Sequence, residues 1–361
     1  MIGSKAVSRM TRAKTALFAI AASMVGLAIG LYAVEVVFRF ALAIPSIPES
    51  GTDFRTLVSD GWPRPIPTTK DPGTIRILGL ADSFGVAGGA GNYHYRLETL
   101  LRERGYPVEI VNFSVPDYSI EHELELLRRF GDRFEPDVVL HSFFVGNDFA
   151  LGEQQSLRYR GIDVEKTAGA SSWLPHHLTV LRWLPRWMQA HAERRRRDED
   201  VGRGLGEGSF SHDTFLEIER VRFGACRRPR TEGPAWPGTT AVLDALGRTI
   251  EELHALRVIV VHPDQFQVEP ALAAEIVRTF ELDPEAYDLA LPQKFLHSYA
   301  ASREVPLIDL TAAFRERGRE GGLFLPRDTH YNDAGNELAA EVIVDALEPL
   351  LARLLTGAQG G

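Results

Sequence analysis

The feature that most constrains this chain is a regular alternation between short apolar runs and amphipathic stretches. The runs are Ile75 to Leu80, Val108 to Phe113, Val138 to Phe144, Arg257 to Val261 and Pro306 to Leu310. Each is too short for a helix and reads as a buried strand. Between and after them, Tyr95 to Arg104, Ile120 to Phe130, Ala241 to Leu256, Gln293 to Arg303 and Ala334 to Leu355 carry helical spacing. Such alternation predicts an α/β fold: a flavodoxin-like three-layer sandwich with a five-stranded, mainly parallel sheet. Ligands of such sheets bind beyond the carboxyl ends of the strands, so chemistry is sought there.

Two segments break the pattern. Residues 149–240 are too long for a connection and read as an insertion with helices of its own. Its Trp173, Trp183 and Trp187 are expected to pack on the core in preference to forming a lid or membrane-facing patch, and Arg194 to Arg197 read as a solvated face. At the other end, Lys5, Arg9, Arg12 and Lys14 precede an uncharged stretch from Thr15 to Val34. That stretch is long enough to span a bilayer, and its basic flank predicts a cytoplasmic N-terminus. A cleaved signal peptide ending near Ala41-Leu42-Ala43 is the rival, but the apolar run exceeds the usual signal length. The expected organisation is a basic segment (1–14), a transmembrane anchor (15–38), a proline-rich tether (39–73), a catalytic domain (74–355, insertion 149–240) and a tail (356–361). The catalytic domain would lie outside the cytoplasm, on a single-pass membrane protein.

Composition narrows the chemistry by exclusion. With 44% hydrophobic and 25% charged residues the chain is globular, and a net charge of -9 argues against nucleic-acid binding. The single cysteine, Cys226, leaves no intrachain disulfide and no cysteine cluster for zinc.

The strand ends carry the polar residues. The first ends in Gly79-Leu80-Ala81-Asp82-Ser83-Phe84-Gly85, placing a serine before a helix N-terminus, where Asp and Ser also serve as caps. The second ends in Asn112-Phe113-Ser114-Val115-Pro116-Asp117-Tyr118 and the third in Gly146-Asn147-Asp148. Near the C-terminus, Arg327-Asp328-Thr329-His330-Tyr331-Asn332 leads into the last helix. A serine hydroxyl needs a base to accept its proton, and an imidazole needs an acid to fix its tautomer.

In this order, from Arg76 to Leu351 without the insertion, these segments resemble the characteristic blocks of SGNH (GDSL-like) hydrolases. The resemblance implies an acyl-enzyme mechanism with Ser83 as nucleophile, His330 as base and Asp328 as its orienting acid. It further implies an oxyanion hole from the Ser83 amide, the Asp117 position and the Asn147 side chain. Asp82, Asp148 and, by position alone, His262 are candidates for lining the substrate crevice. Three residues depart from the family pattern: Ala81 replaces the glycine before Asp-Ser, Asp117 stands where the oxyanion glycine is expected, and one residue separates Asp328 from His330. That last form is similar to the polysaccharide O-acetyltransferase branch.

The implied activity is ester hydrolysis, on an acetylated extracytoplasmic glycan or small ester, without cofactor or metal. An O-acetyltransferase with the same triad is the close alternative. A silent binding protein that keeps the fold is a third reading. A metal-dependent phosphoesterase using Asp82, Asn147, Asp328 and His330 is a fourth, less favoured because no second histidine motif completes a two-metal site. The sequence leaves oligomeric state open.

Overall fold

A computed structural model describes residues 69–116, 118–149, 179–229, 236–318 and 322–358, with positions 23, 26 and 30. The side chains of most residues from 179 to 190 and of 357–358 lie outside that description, as do Trp173, Trp183 and Trp187. The expected anchor therefore lies outside the described residues except at 23, 26 and 30, which are helical. Among the described residues, no helix is long and apolar enough to cross a membrane.

The chain divides into two units, residues 1–50 with 156–195, and residues 51–155 with 196–361. Of the first, the described part is helical, including the beginning of α4 (Thr179–Gly202). The second holds the sheet and everything that follows.

Its five strands are β1 (Ile75–Ala81), β2 (Val108–Ser114), β3 (Val138–Phe144), β4 (Leu256–His262) and β5 (Leu307–Asp309). They coincide with the five apolar runs to within two residues at each end. The order is β2-β1-β3-β4-β5, and all four pairings are parallel. Both sheet faces are covered, so the strands need no polar alternation.

Odd and even strand positions part to opposite faces, as the two-residue period requires. On one face Ile77, Ile110, Leu140 and Val260 pack with Tyr93, Leu97 and Leu101 of α1 (Tyr93–Glu103). The same cluster takes Ala340, Val344 and Leu347 of the last helix, α11 (Asp333–Ala358). On the other, Leu78, Val111, Val139 and Ile259 meet α2 (Ile120–Phe130), α6 (Pro237–Glu252) and α9 (Leu291–Ser302). The result is the expected three-layer sandwich.

Three shorter helices and two further ones complete the second unit. They are α3 (Val145–Asp148), α5 (His212–Phe223), α7 (Gln265–Val268), α8 (Pro270–Thr279) and α10 (Thr311–Arg317). The helical spacing of α8 and α10 went unmarked in the sequence. Within the insertion, α5 buries Phe215, Leu216 and Phe223 against Phe266, Leu272 and Ile276, in a third apolar cluster. This part of the insertion is thus packed on the domain.

The sheet order reverses around β1, whose neighbours β2 and β3 leave it in opposite directions. In such sheets the crevice opens at that reversal, beyond the carboxyl ends of the two strands. Ser83 follows β1 and Asn147 follows β3.

Candidate active site

After β1 the chain does not enter a long helix. It makes two short 3-10 turns, Ser83–Gly85 and Gly89–Gly91, so the serine sits on a tight corner and α1 begins only at Tyr93. Several amides hold this corner. Asn112 of β2 donates its Nδ2 to Gly85 O (2.6 Å), and Asn92 donates its Nδ2 to Phe84 O and Ala87 O (both 2.8 Å). Gly85 lies so close to β2 that a methyl group there would overlap the Ser114 hydroxyl. Asp82 accepts the Phe84 amide on Oδ1 (2.9 Å), the capping role that the local sequence also allowed.

The C-terminal block arrives at the same corner. His330 Nε2 lies 2.8 Å from Ser83 Oγ, and His330 Nδ1 lies 2.6 Å from Asp328 Oδ1. The His330 amide also donates to that oxygen (3.0 Å). Serine, imidazole and carboxylate therefore stand in line although 247 residues separate Ser83 from His330. Phe84 packs edge-on against Tyr331 and lies 5.3 Å from the His330 ring, which gives the imidazole an apolar floor.

Burial would raise the Asp328 carboxyl. Hydrogen bonds from the His330 ring, from Ser209 and from the His330 amide, with the charge of the imidazole, outweigh burial and hold it at about 2. An acid with that value is ionised throughout the neutral range, as a group that orients an imidazole must be.

Asn147, on α3, turns its side chain toward the same corner. Its Nδ2 donates to Tyr118 O (2.6 Å) and to Asp82 Oδ2 (3.3 Å). Burial raises the Asp82 carboxyl, opposed by the Phe84 amide, His330, Arg222 and Asn147. Asp117, the expected second oxyanion donor, lies outside the described residues.

The three residues expected to line the crevice are placed below it. Asp82 is 4% exposed, Asp148 1% and His262 0%. Asp148 turns back to accept the Phe144 amide (2.8 Å), and burial, with Asp82 nearby, pushes its carboxyl well up. His262 lies 3.3 Å from the Tyr331 hydroxyl through Nδ1, and burial lowers it to about 3. They support the corner and present almost no surface to a ligand. Position at a strand end was the only signal for them, and it does not tell inward from outward.

A cleft of about 80 Å³ is lined by Val145, Gly146, Phe149, Arg222 and Trp236, and neither the triad nor Asn147 is among its lining residues. Arg222 reaches it from α5 and lies over the Phe144 ring at 5.2 Å. A larger cleft, about 370 Å³, opens at the opposite, amino ends of β1 and β2 and contains none of these residues. Among the described residues, no group of three or more His, Cys, Asp or Glu side chains is arranged to hold a metal ion.

Sequence reading missed Asn92, Arg222 and Ser209. Asn92 sits in a plain loop-to-helix position, and Arg222 and Ser209 lie in the insertion, where no pattern distinguishes them.

A serine, histidine and aspartate aligned above the reversal point of a parallel sheet define the class: an α/β protein equipped for acyl chemistry. Residues 227–359, which include Asp328 and His330, match the family described as ALGX, the SGNH hydrolase-like domain of the acetyltransferase AlgX. The match to an SGNH hydrolase-like domain thus covers the C-terminal part of the chain, from before β4 to the last helix. Among solved structures it is similar to the acetyl xylan esterase AlAXEase, with 16% identity over 76% of this chain and 100% of that one, at a TM-score of 0.37. It is similar also to a lipase/acylhydrolase from Enterococcus faecalis, with 13% identity over 76% and 96% and a TM-score of 0.39. A third is esterase EstA from Pseudoalteromonas sp., with 12% identity over 77% and 98% and a TM-score of 0.36. Comparison with curated proteins gives no match.

Proposed function

We propose that this chain is a serine-dependent acyl-ester hydrolase that works through an acyl-enzyme on Ser83. The observation that carries the proposal is the line Ser83 Oγ, His330 Nε2, His330 Nδ1, Asp328 Oδ1, with spacings of 2.8 and 2.6 Å at its two hydrogen bonds. In this reading His330 takes the Ser83 proton as Oγ attacks the ester carbonyl, and returns it to the departing alcohol. Water then attacks the acyl-enzyme with His330 again as base. Asp328, ionised, keeps the Nδ1 proton in place and stabilises the imidazolium.

The oxyanion of the tetrahedral intermediate would be met by the Ser83 amide and the Asn147 Nδ2. Asn147 now donates to Asp82 at 3.3 Å, a long bond that is readily exchanged for a short one to an oxyanion. An acetylated glycan or small ester outside the cytoplasm is the substrate class we favour, with the N-terminal anchor holding the domain at the membrane.

A second reading is supported by the family match, which is to an acetyltransferase domain. There a sugar hydroxyl takes the place of water in the second step, on the same three residues. A chromogenic acetyl ester, turned over with and without a glycan acceptor, separates the two. Free acetate in both cases supports the hydrolase. Acceptor-dependent acetyl on the glycan would replace it with the transferase. Ser83→Ala is expected to lower turnover at least ~10³-fold in either case.

A further inference from the structure

The insertion returns to the domain through residues 202–211, in which Gly202, Gly204, Gly206 and Gly208 alternate with Arg203, Leu205, Glu207 and Ser209. Gly204 and Gly206 have φ of 82° and 74°, a left-handed backbone that glycine tolerates, and the carbonyls of Leu205 and Gly206 turn to one side. There they meet Arg327, the residue just before the catalytic acid of the proposed triad. Its Nη1 donates to Leu205 O (2.8 Å), its Nη2 to Gly206 O (2.8 Å) and its Nε to Phe210 O (2.9 Å).

Two backbone bonds lie alongside, from the Ser209 amide to Pro326 O (3.1 Å) and from the Phe210 amide to Arg327 O (3.2 Å). A side chain on Gly208 would overlap the guanidinium. Arg327 itself is held at φ 46°, unfavourable for any residue with a Cβ. A strained backbone is tolerated where its surroundings fix it, and here they are five hydrogen bonds to the insertion.

This pairing sets Ser209 against the stretch that leads into Asp328, and the Ser209 hydroxyl is among the groups that lower that carboxyl. Asp328 Oδ1 already takes both the ring and the amide of His330. A hydroxyl donor from the insertion restrains the carboxylate against rotation away from the imidazole.

We propose that segment 202–210 of the insertion is a positioning element of the triad, in which Arg327 is the clamp and Ser209 orients the Asp328 carboxylate toward His330. This segment of the insertion is then part of the catalytic apparatus, acting through Asp328. The proposal rests on the triad reading above.

The test uses the full-length chain and p-nitrophenyl acetate. Ser209→Ala and Ser209→Gly, both at an exposed position, are expected to lower kcat about five- to twentyfold with KM within about twofold, as loss of a bond to a charged group implies. Ser209→Thr, which keeps the hydroxyl, restores at least half of the rate. Arg327→Lys keeps the charge, loses the three-carbonyl fork, and falls as far as Ser209→Ala. Glu103→Gln, at an exposed position on α1, leaves kcat unchanged.

The proton NMR resonance of His330 Nδ1–H is expected to move or broaden in Ser209→Ala and to stay in Ser209→Thr, a change that mere loosening of a distant loop would not produce. Wild-type kcat and an unmoved resonance in both Ser209→Ala and Ser209→Gly would overturn the proposal. A wild-type chain that forms no acyl adduct on Ser83 would instead overturn the triad reading itself, so the two failures are distinguishable.

Discussion

At the residue scale, the site depends on a few polar atoms with one arrangement each. Asp328 is the acid whose charge the proposed mechanism needs, and at about 2 it keeps that charge down to strongly acidic pH. Asp328→Asn is expected to favour the wrong imidazole tautomer and lower kcat by about 10²- to 10⁴-fold with little change in KM. Steady-state kinetics on a soluble acetyl ester checks this, and a loss confined to KM would contradict it. Asn147 offers a second test. If its Nδ2 meets the oxyanion, Asn147→Ala lowers kcat about 10²- to 10³-fold. If its place is only to bridge Tyr118 O and Asp82, the loss appears in thermal stability and not in kcat.

At the element scale, the serine corner is a 3-10 turn pressed against β2. Gly85→Ala would drive a methyl group into Ser114, and Asn92→Ala would free the Phe84 and Ala87 carbonyls. Gly85→Ala is expected to cost about 1–3 kcal/mol in urea unfolding, with a further fall in kcat as Ser83 shifts. A variant with wild-type stability would show that the turn is not so tightly held. The helix α5 makes a similar claim for the insertion: Phe223 is 2% exposed, so Phe223→Ala should cost about 3–5 kcal/mol. Strand positions were legible in the sequence because apolar runs of five to seven residues flanked by polar turns have few other readings. Ser83, Asp328 and His330 were legible because their blocks resemble a family in order and residue type. Asp148 and His262 were read as crevice residues because strand ends are where ligands bind, but the direction of a side chain is set by packing that no short pattern encodes. Helices α8 and α10 were overlooked because short loops separate them from the strands whose pattern dominates the window. Ser209 and Arg327 escaped notice for a different reason: their pairing joins residues 118 positions apart, and the glycine-rich stretch on one side of it carries no apolar pattern.

At the scale of the whole molecule, buried titratable groups tie stability to pH in two opposing ways. Burial lowers His94, His141 and His262 from 6.5 to about 3, so the unfolded chain binds more protons than the folded one below 6.5. Their contribution is present above that value and lost as pH falls toward 3, by up to ~1.4 kcal/mol per pH unit for each. Burial raises Glu123, Asp148 and Glu219 well above 4.5, 3.8 and 4.5, so their contribution is present at low pH and lost as pH rises through the folded values. Chemical unfolding from pH 3 to 9 is expected to show a maximum in the mildly acidic range with loss on both sides. A steady rise from pH 4 to 9 would contradict this balance. His141 Nε2 and Glu123 Oε2, 3.1 Å apart and fully buried, belong to these opposing sets, and burial drives both toward their uncharged forms.

In the proposed reading, the three-layer sandwich, the aligned triad and the clamped segment of the insertion act together to make an acyl-enzyme on Ser83. Treatment of the folded, full-length chain with a fluorophosphonate, followed by peptide mass spectrometry, tests this most directly. A single adduct on Ser83, absent after heat unfolding and at least ~10²-fold slower to form in His330→Ala, is the predicted result. No adduct on Ser83 in the folded chain, or one that forms equally fast without His330, would contradict it.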